Sequence, residues 1–178
     1  SNPEDSKRLL MKMGEIVGDL LADQVNSGGA DVVQIFDTWA GLLSNEDYRN
    51  LSQIATEKAI QVFREKSKKF VPLIHYAKGS GHLHNQIRDM DIQGLSLDWR
   101  DDMRYNRENY GEMIAFQGNL DPSKLHGSTD VAKEAAARVL KLAGGKPGHI
   151  FNLGHGFAPS ARIDCVEAVI RTVCGDIP

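Results

Sequence analysis

The residues with the clearest chemical potential are Gly154-His155-Gly156, where an apolar run from Ile150 to Leu153 stops at an imidazole between two glycines. Flanking glycines let a backbone take positive φ and approach a ligand closely, with His155 held out at the end of the run. A tight turn carrying a solvated histidine fits the same local sequence. Other polar groups recur after apolar runs: Asp37 and Thr38, Lys78 and Ser80, Asp98, and Asn119 with Asp121. A cation, hydroxyls, glycine-rich backbone and an imidazole suit a ligand with several carboxylates, because oriented N–H groups and Lys78 supply local positive potential. Taken singly, Lys78 also reads as a solvated loop lysine, and Asp98 and Asp121 as caps of the turns they precede.

Other chemistries find less support. His82 and His84 lie two apart, so on a helix they point about 200° from each other and do not share an ion. Gly79-Ser80-Gly81 lacks the further glycines of a dinucleotide fingerprint, and no Lys-Ser/Thr pair of a phosphate loop follows it. No ligand set for a metal is evident.

The elements that would position these groups can be read in order. Asn2 caps a helix that starts at Pro3 with acids in its first turn, and Leu9, Leu10, Met13, Ile16, Val17, Leu20 and Leu21 form its apolar face before Gly28-Gly29. Val32 to Phe36 reads as a buried strand delivering Asp37 and Thr38. Ser44 to Asp47 resembles a capping box, opening a helix that carries Leu51, Ile54, Ala55, Ala59, Val62 and Phe63 inward. A strand from Val71 to Tyr76 leads to Lys78-Gly79-Ser80-Gly81 and a short helix through Met90. Gly94 to Leu97 is a further strand, Arg100 to Tyr110 is weakly helical at best, and Met113 to Gln117 is a strand. A helix from Asp130 to Ala143 precedes the strand Ile150 to Leu153, and a last helix runs from about Ser160 to about Val173. Five strands alternating with helices, each followed by polar or glycine-rich residues, predict a parallel α/β sheet with its ligand face at the strand C-termini. Both a doubly wound sheet and a (β/α)8 barrel obey this pattern; a whole barrel usually takes about 250 residues, so five strands in 178 would be an incomplete one.

The 178 residues, 41% hydrophobic and 25% charged, suit one domain spanning 1–178. A net charge of −3 gives no general attraction for nucleic acid or an anionic membrane. No apolar run approaches a membrane span, and no signal peptide is evident. Cys165 and Cys174 fall in the last helix too far apart to bond, which points to free thiols and a cytoplasmic setting.

Five segments together resemble the uroporphyrinogen decarboxylase family: Gln34-Ile35-Phe36-Asp37-Thr38-Trp39-Ala40-Gly41, Lys78-Gly79-Ser80-Gly81, Leu97-Asp98-Trp99-Arg100, Gln117-Gly118-Asn119-Leu120-Asp121-Pro122, and Gly148 through Gly156. The resemblance implies a partial (β/α)8 TIM barrel, the C-terminal half, with about five parallel strands. It implies removal of carbon dioxide from the four acetates of uroporphyrinogen III to give coproporphyrinogen III, in haem biosynthesis, with no metal or organic cofactor. Carried over by position, Thr38 takes the family's Ser/Thr substrate contact and His155 its substrate-binding histidine; Phe36, Asp37 and Lys78 are further substrate-side candidates. The family's arginine-rich segment, pyrrole-binding aspartate and substrate tyrosine would precede Ser1, so no catalytic residue is assigned within this chain.

Two rival readings stand beside this one. A half-barrel without activity would associate through its open edges, as a homodimer or with an N-terminal half. The zinc-dependent corrinoid methyltransferases of the same superfamily bind a thiol through a His-x-Cys pair, where this chain has His75-Tyr76-Ala77.

Overall fold

The computed structural model describes residues 2–175. Five strands, β1 (Val33–Phe36), β2 (Leu73–Tyr76), β3 (Gly94–Ser96), β4 (Ala115–Gln117) and β5 (His149–Ile150), follow one another through the sheet in chain order. They alternate with helices, as the spacing of apolar runs predicts, in the manner of the partial (β/α)8 barrel that the resemblance implies. Two compact units divide between Gly94 and Leu95.

In the first unit, α1 (Pro3–Asn26) begins where the Asn2 side chain accepts the Glu4 amide at 3.2 Å. It packs on α3 (Ile54–Lys66) through glycines. A Cβ at Gly14 would stand 2.4 Å from the Ala55 carbonyl oxygen, and one at Gly18 2.6 Å from that of Ala59. This close approach fixes which side of α1 is buried: Gly14, Gly18, Leu21, Ala22 and Val25. The broader apolar face expected from periodicity is therefore split, and Leu9, Met13, Ile16 and Leu20 stay exposed. Ser44 caps α2 (Asn45–Tyr48) by accepting the Asp47 amide at 3.1 Å, and a π-helical stretch, Arg49–Gln53, joins it to α3. The wider π turn shifts the helical phase, and Leu51, expected inside, is exposed. β1 and β2 pair in parallel, Val33 opposite Leu73 and Phe36 opposite Tyr76. β2 is buried along its whole length and is followed by the short helix α4 (His84–Arg88).

In the second unit, Leu97 donates its amide to Gln117 at 2.8 Å, and β4 pairs in parallel with β5, Phe116 opposite His149. The last strand starts one residue earlier than expected and ends at Ile150; beyond it only a Leu120–Leu153 bridge continues the pairing. The ladder breaks because its partner turns away at Gly118, whose φ is 122°. The core joins Leu120 and Leu125 to Ala132, Ala136 and Val139 of α6 (Thr129–Ala143) and Cys165 and Val169 of α7 (Ile163–Cys174). The helix α7 starts later than Ser160, because Ala161 first closes a turn on the Ala158 carbonyl at 2.9 Å and Arg162 bonds Leu125 at 2.9 Å. Residues 103–110, read from sequence as weakly helical, form the helix α5 (Met103–Tyr110). Asp102 caps it, accepting the Tyr105 amide at 3.0 Å, and Met103 and Asn106 anchor it inward. Both cysteines lie in α7 as free thiols, Cys165 buried and Cys174 exposed. No helix among the described residues is long and apolar enough to cross a membrane.

The loop entering β5 is held by one side chain. Arg107 of α5 donates to the carbonyls of Ala143 (3.2 Å), Lys146 (3.2 Å), Pro147 (2.9 Å) and Gly148 (3.0 Å). This clamp sits at the N-terminal end of β5, the end away from His155.

Candidate functional site

The segments after β1 and β2 lie against each other in the first unit. A Cβ on Gly41 would stand 2.1 Å from the Lys78 carbonyl oxygen, so only glycine admits this contact. Gly79 takes φ 69°, turning the chain after Lys78. Lys78 and Thr38 are half-exposed, each just past the C-terminal end of its strand. Phe36 is exposed and meets Tyr76 edge to face at 6.1 Å. Asp37 donates its amide to the Tyr76 carbonyl at 2.8 Å, and its carboxylate accepts the Ser52 hydroxyl. Burial raises its pKa, and the Ser52 bond only partly offsets the shift. An apolar cavity of about 420 Å³ beside it is lined by Phe36, Trp39, Met13 and Leu51 among others. Ser80 is buried and donates to the Ala77 carbonyl at 2.7 Å, a turn contact rather than a ligand contact.

Histidines of this unit do not assemble a metal centre. His75 is fully buried in β2 with no hydrogen bond to either ring nitrogen, and burial, with a smaller push from His84, lowers its pKa to about 4. Ala77 occupies the place where the methyltransferase pattern would have its thiol. His82 instead places Nε2 2.9 Å from the Leu43 carbonyl oxygen. Among the described residues no group of three or more His, Cys, Asp or Glu could hold a metal ion.

The second unit brings the ends of β3, β4 and β5 together. Asp98, past β3, is fully buried and takes Arg100 in a fork: Nε to Oδ1 at 2.9 Å and Nη2 to Oδ2 at 2.5 Å. The Arg100 amide also donates to Oδ1 at 2.9 Å. Asp101 accepts the Asp98 amide at 2.9 Å, and burial, opposed by that bond, raises its pKa to about 6. Asn119, past β4, closes the turn with its side-chain amide on the carbonyls of Asp98 (2.8 Å) and Asp101 (2.9 Å). Asp121 caps the following 3-10 turn, accepting the Ser123 amide at 2.9 Å, as its position before Pro122 suggests.

His155 follows the Leu120–Leu153 bridge, half-buried, with its ring 6.3 Å from that of Trp99. The glycines beside it work differently from the expectation. Neither Gly154 nor Gly156 takes φ in the left-handed range. Gly154 is needed because a Cβ there would stand 2.3 Å from the Trp99 amide nitrogen, whereas around Gly156 there is open space. Arg100 completes the group, its guanidinium carbon 4.8 Å from the Trp99 ring centre. Sequence reasoning passed over Arg100 and Asp101; the signal was the acid-cation-acid run Asp98, Arg100, Asp101 directly after a strand. His149, also passed over, has Nε2 2.7 Å from the Gly118 carbonyl oxygen, a bond that needs the proton on Nε2.

A family model described as uroporphyrinogen decarboxylase (URO-D) matches residues 1–175. The uroporphyrinogen decarboxylase of Saccharophagus degradans is 37% identical over 174 residues, covering 97% of this chain and 49% of that protein. That of Sorangium cellulosum is 40% identical over 173 residues, covering 97% and 48%, and that of Coxiella burnetii 39% identical over 176 residues, covering 96% and 47%. The chain thus spans about half the length of the curated relatives it matches. A methyltransferase from Methanosarcina mazei superposes with a TM-score of 0.71 at 21% identity, over 89% of this chain and 46% of its own, a likeness of fold.

Proposed function

Since the chain belongs to the uroporphyrinogen decarboxylase family, we propose that it is the substrate-holding portion of a carboxy-lyase acting on a porphyrinogen, the cofactor-free conversion of uroporphyrinogen III to coproporphyrinogen III. The observation that carries this reading is the match over residues 1–175, which includes every strand end described above. His155 and Thr38 hold substrate carboxylates, with Phe36, Asp37 and Lys78 on the same side of their own strands.

The chemistry asks for more than holding. A pyrrole acetate loses carbon dioxide once the adjacent ring carbon is protonated, because the resulting iminium accepts the electron pair of the breaking C–C bond; the exocyclic enamine so formed is protonated at its methylene carbon to give the methyl group, and the proton on the ring carbon then leaves, restoring the pyrrole. A site must supply the proton and stabilise the developing cation, which an unpaired carboxylate does well. Neither Asp98 nor Asp37 suits that role, since Asp98 is held in a fork by Arg100, and the Asp37 carboxylate accepts the Ser52 hydroxyl, with its charged form disfavoured by burial. The chain alone therefore binds porphyrinogen without decarboxylating it at an enzyme-like rate. Anaerobic incubation of the purified chain with uroporphyrinogen III, with product acetates counted by mass, tests this. Turnover at a rate typical of enzymes would overturn it and direct attention to Asp37.

A second reading concerns association. The exposed stripe Leu9, Met13, Ile16 and Leu20 on α1 supports pairing of this chain, as a homodimer or with polypeptide equivalent to the rest of its relatives' length. Sedimentation of the chain at several concentrations tests it, a monomer throughout being the contrary result for self-pairing. The setting we propose is the cytoplasm.

A further inference from the structure

We propose that Arg100 is a second carboxylate receptor of the site, working beside His155 so that two carboxylates of one porphyrinogen pyrrole are held on either contact of the Trp99 indole. This rests on the porphyrinogen reading above and names a group that it did not use.

The two partners of the Asp98–Arg100 ion pair are unequally buried. Asp98 is 0% exposed, while the Arg100 side chain bonded to it is 55% exposed. Burying both ions of a pair costs the desolvation of each, and here only the carboxylate is taken out of water, which leaves the guanidinium accessible to a ligand. Here the carboxylate is inside and the guanidinium reaches outward from the C-terminal end of β3. Asp98 acts as an orienting group: its two oxygens fix the plane of the guanidinium through Nε and Nη2. Nothing in that turn is loose, since Asn119 bonds the carbonyls of Asp98 and Asp101 and Asp101 bonds the Asp98 amide. A planar guanidinium can serve carboxylates on two of its edges, which an ammonium cannot do.

Arg100 lies over Trp99 at 4.8 Å, and His155 lies beside the same indole at 6.3 Å. Gly154 lets the His155 loop come down onto the Trp99 backbone, so cation, indole and imidazole form one fixed corner. An arginine, a flat apolar surface and a histidine suit a heterocycle that carries acidic arms. A pyrrole with an acetate and a propionate on neighbouring carbons has that form.

The experiment measures binding of uroporphyrin I, with eight carboxylates, and coproporphyrin I, with four, to the full chain by porphyrin absorbance and tryptophan quenching. The proteins are wild type, Arg100→Gln, and the double variant Asp98→Asn with Arg100→Gln, in which a neutral amide pair replaces the ion pair. We expect both variants to lose uroporphyrin affinity by roughly tenfold or more, with a smaller loss for coproporphyrin. Arg100→Lys should retain only part of the affinity, because it keeps the charge without the fork. A purely structural ion pair predicts otherwise: the double variant, folded by circular dichroism, would bind like wild type, and that result overturns the proposal. Wild type that binds neither porphyrin would overturn the porphyrinogen reading itself, and the proposal with it.

Discussion

Gly154 sits under Trp99 with no space for a side chain: its Cβ would meet the Trp99 amide nitrogen at 2.3 Å and the Trp99 Cα at 2.8 Å. The loop that carries His155 is thereby built on the loop that carries Arg100. Gly154→Ala should force one backbone away from the other and destabilise the protein by about 1–3 kcal/mol. Gly156→Ala, with open space and no left-handed φ, should stay within about 0.5 kcal/mol of wild type. Chemical denaturation of the two variants checks the contrast, and equal effects would refute the packing argument.

Arg107 should matter for stability and not for binding. Its guanidinium serves four carbonyls of residues 143–148 at the N-terminal end of β5. Arg107→Ala should cost about 1–3 kcal/mol, discounted for the partial exposure of these bonds. Arg107→Lys should recover little of it, because an ammonium cannot span the loop. Urea melts and porphyrin titrations of the same samples would separate the two effects.

A half-buried carboxyl and a fully buried imidazole should give opposite pH dependences that partly cancel. Asp101 has its pKa raised from 3.8 to about 6, so the stability its neutral form permits is present at acid pH and lost as pH rises from about 4 to 6. His75 has its pKa lowered from 6.5 to about 4, so the stability of its neutral form is present above about 6.5 and lost as pH falls towards 4. Asp37 shifts in the sense of Asp101, and His149 in the sense of His75. Wild type should therefore change little between pH 4 and 6.5. Asp101→Asn should become more stable as pH rises across that window and His75→Leu less stable, each by about 1–2 kcal/mol. Denaturation midpoints at four pH values test this; parallel profiles for the two variants would contradict it.

Much of the fold is legible in the sequence. Glycine pairs, caps and β-branched runs set the five strands and the main helices, because those signals act locally. What escaped the sequence depended on partners. The apolar residues of α1 look equivalent in periodicity, yet Gly14 and Gly18 choose which of them touch α3. Asp102 nucleates α5 from a stretch with few apolar residues, its cap and two inward side chains outweighing composition. Gly154 read as a source of backbone freedom and proves to be a point of contact. Arg100 stands in the Leu97–Arg100 segment with no role assigned from sequence, and only the burial of Asp98 makes it distinct.

Thr38 and His155 should differ in weight. Thr38→Val removes a neutral hydroxyl and should weaken uroporphyrin binding by less than about tenfold, whereas an imidazole on a carboxylate makes the stronger, charge-assisted bond. Equal losses on Thr38→Val and His155→Ala would argue against that division.

The most direct test of the account is a titration of the purified chain with uroporphyrin I, wild type against His155→Ala, with circular dichroism verifying the fold of each. The account predicts saturable binding by wild type and a loss of roughly ten- to hundredfold in the variant. Binding that is absent in wild type, or unchanged in a folded His155→Ala protein, would contradict it.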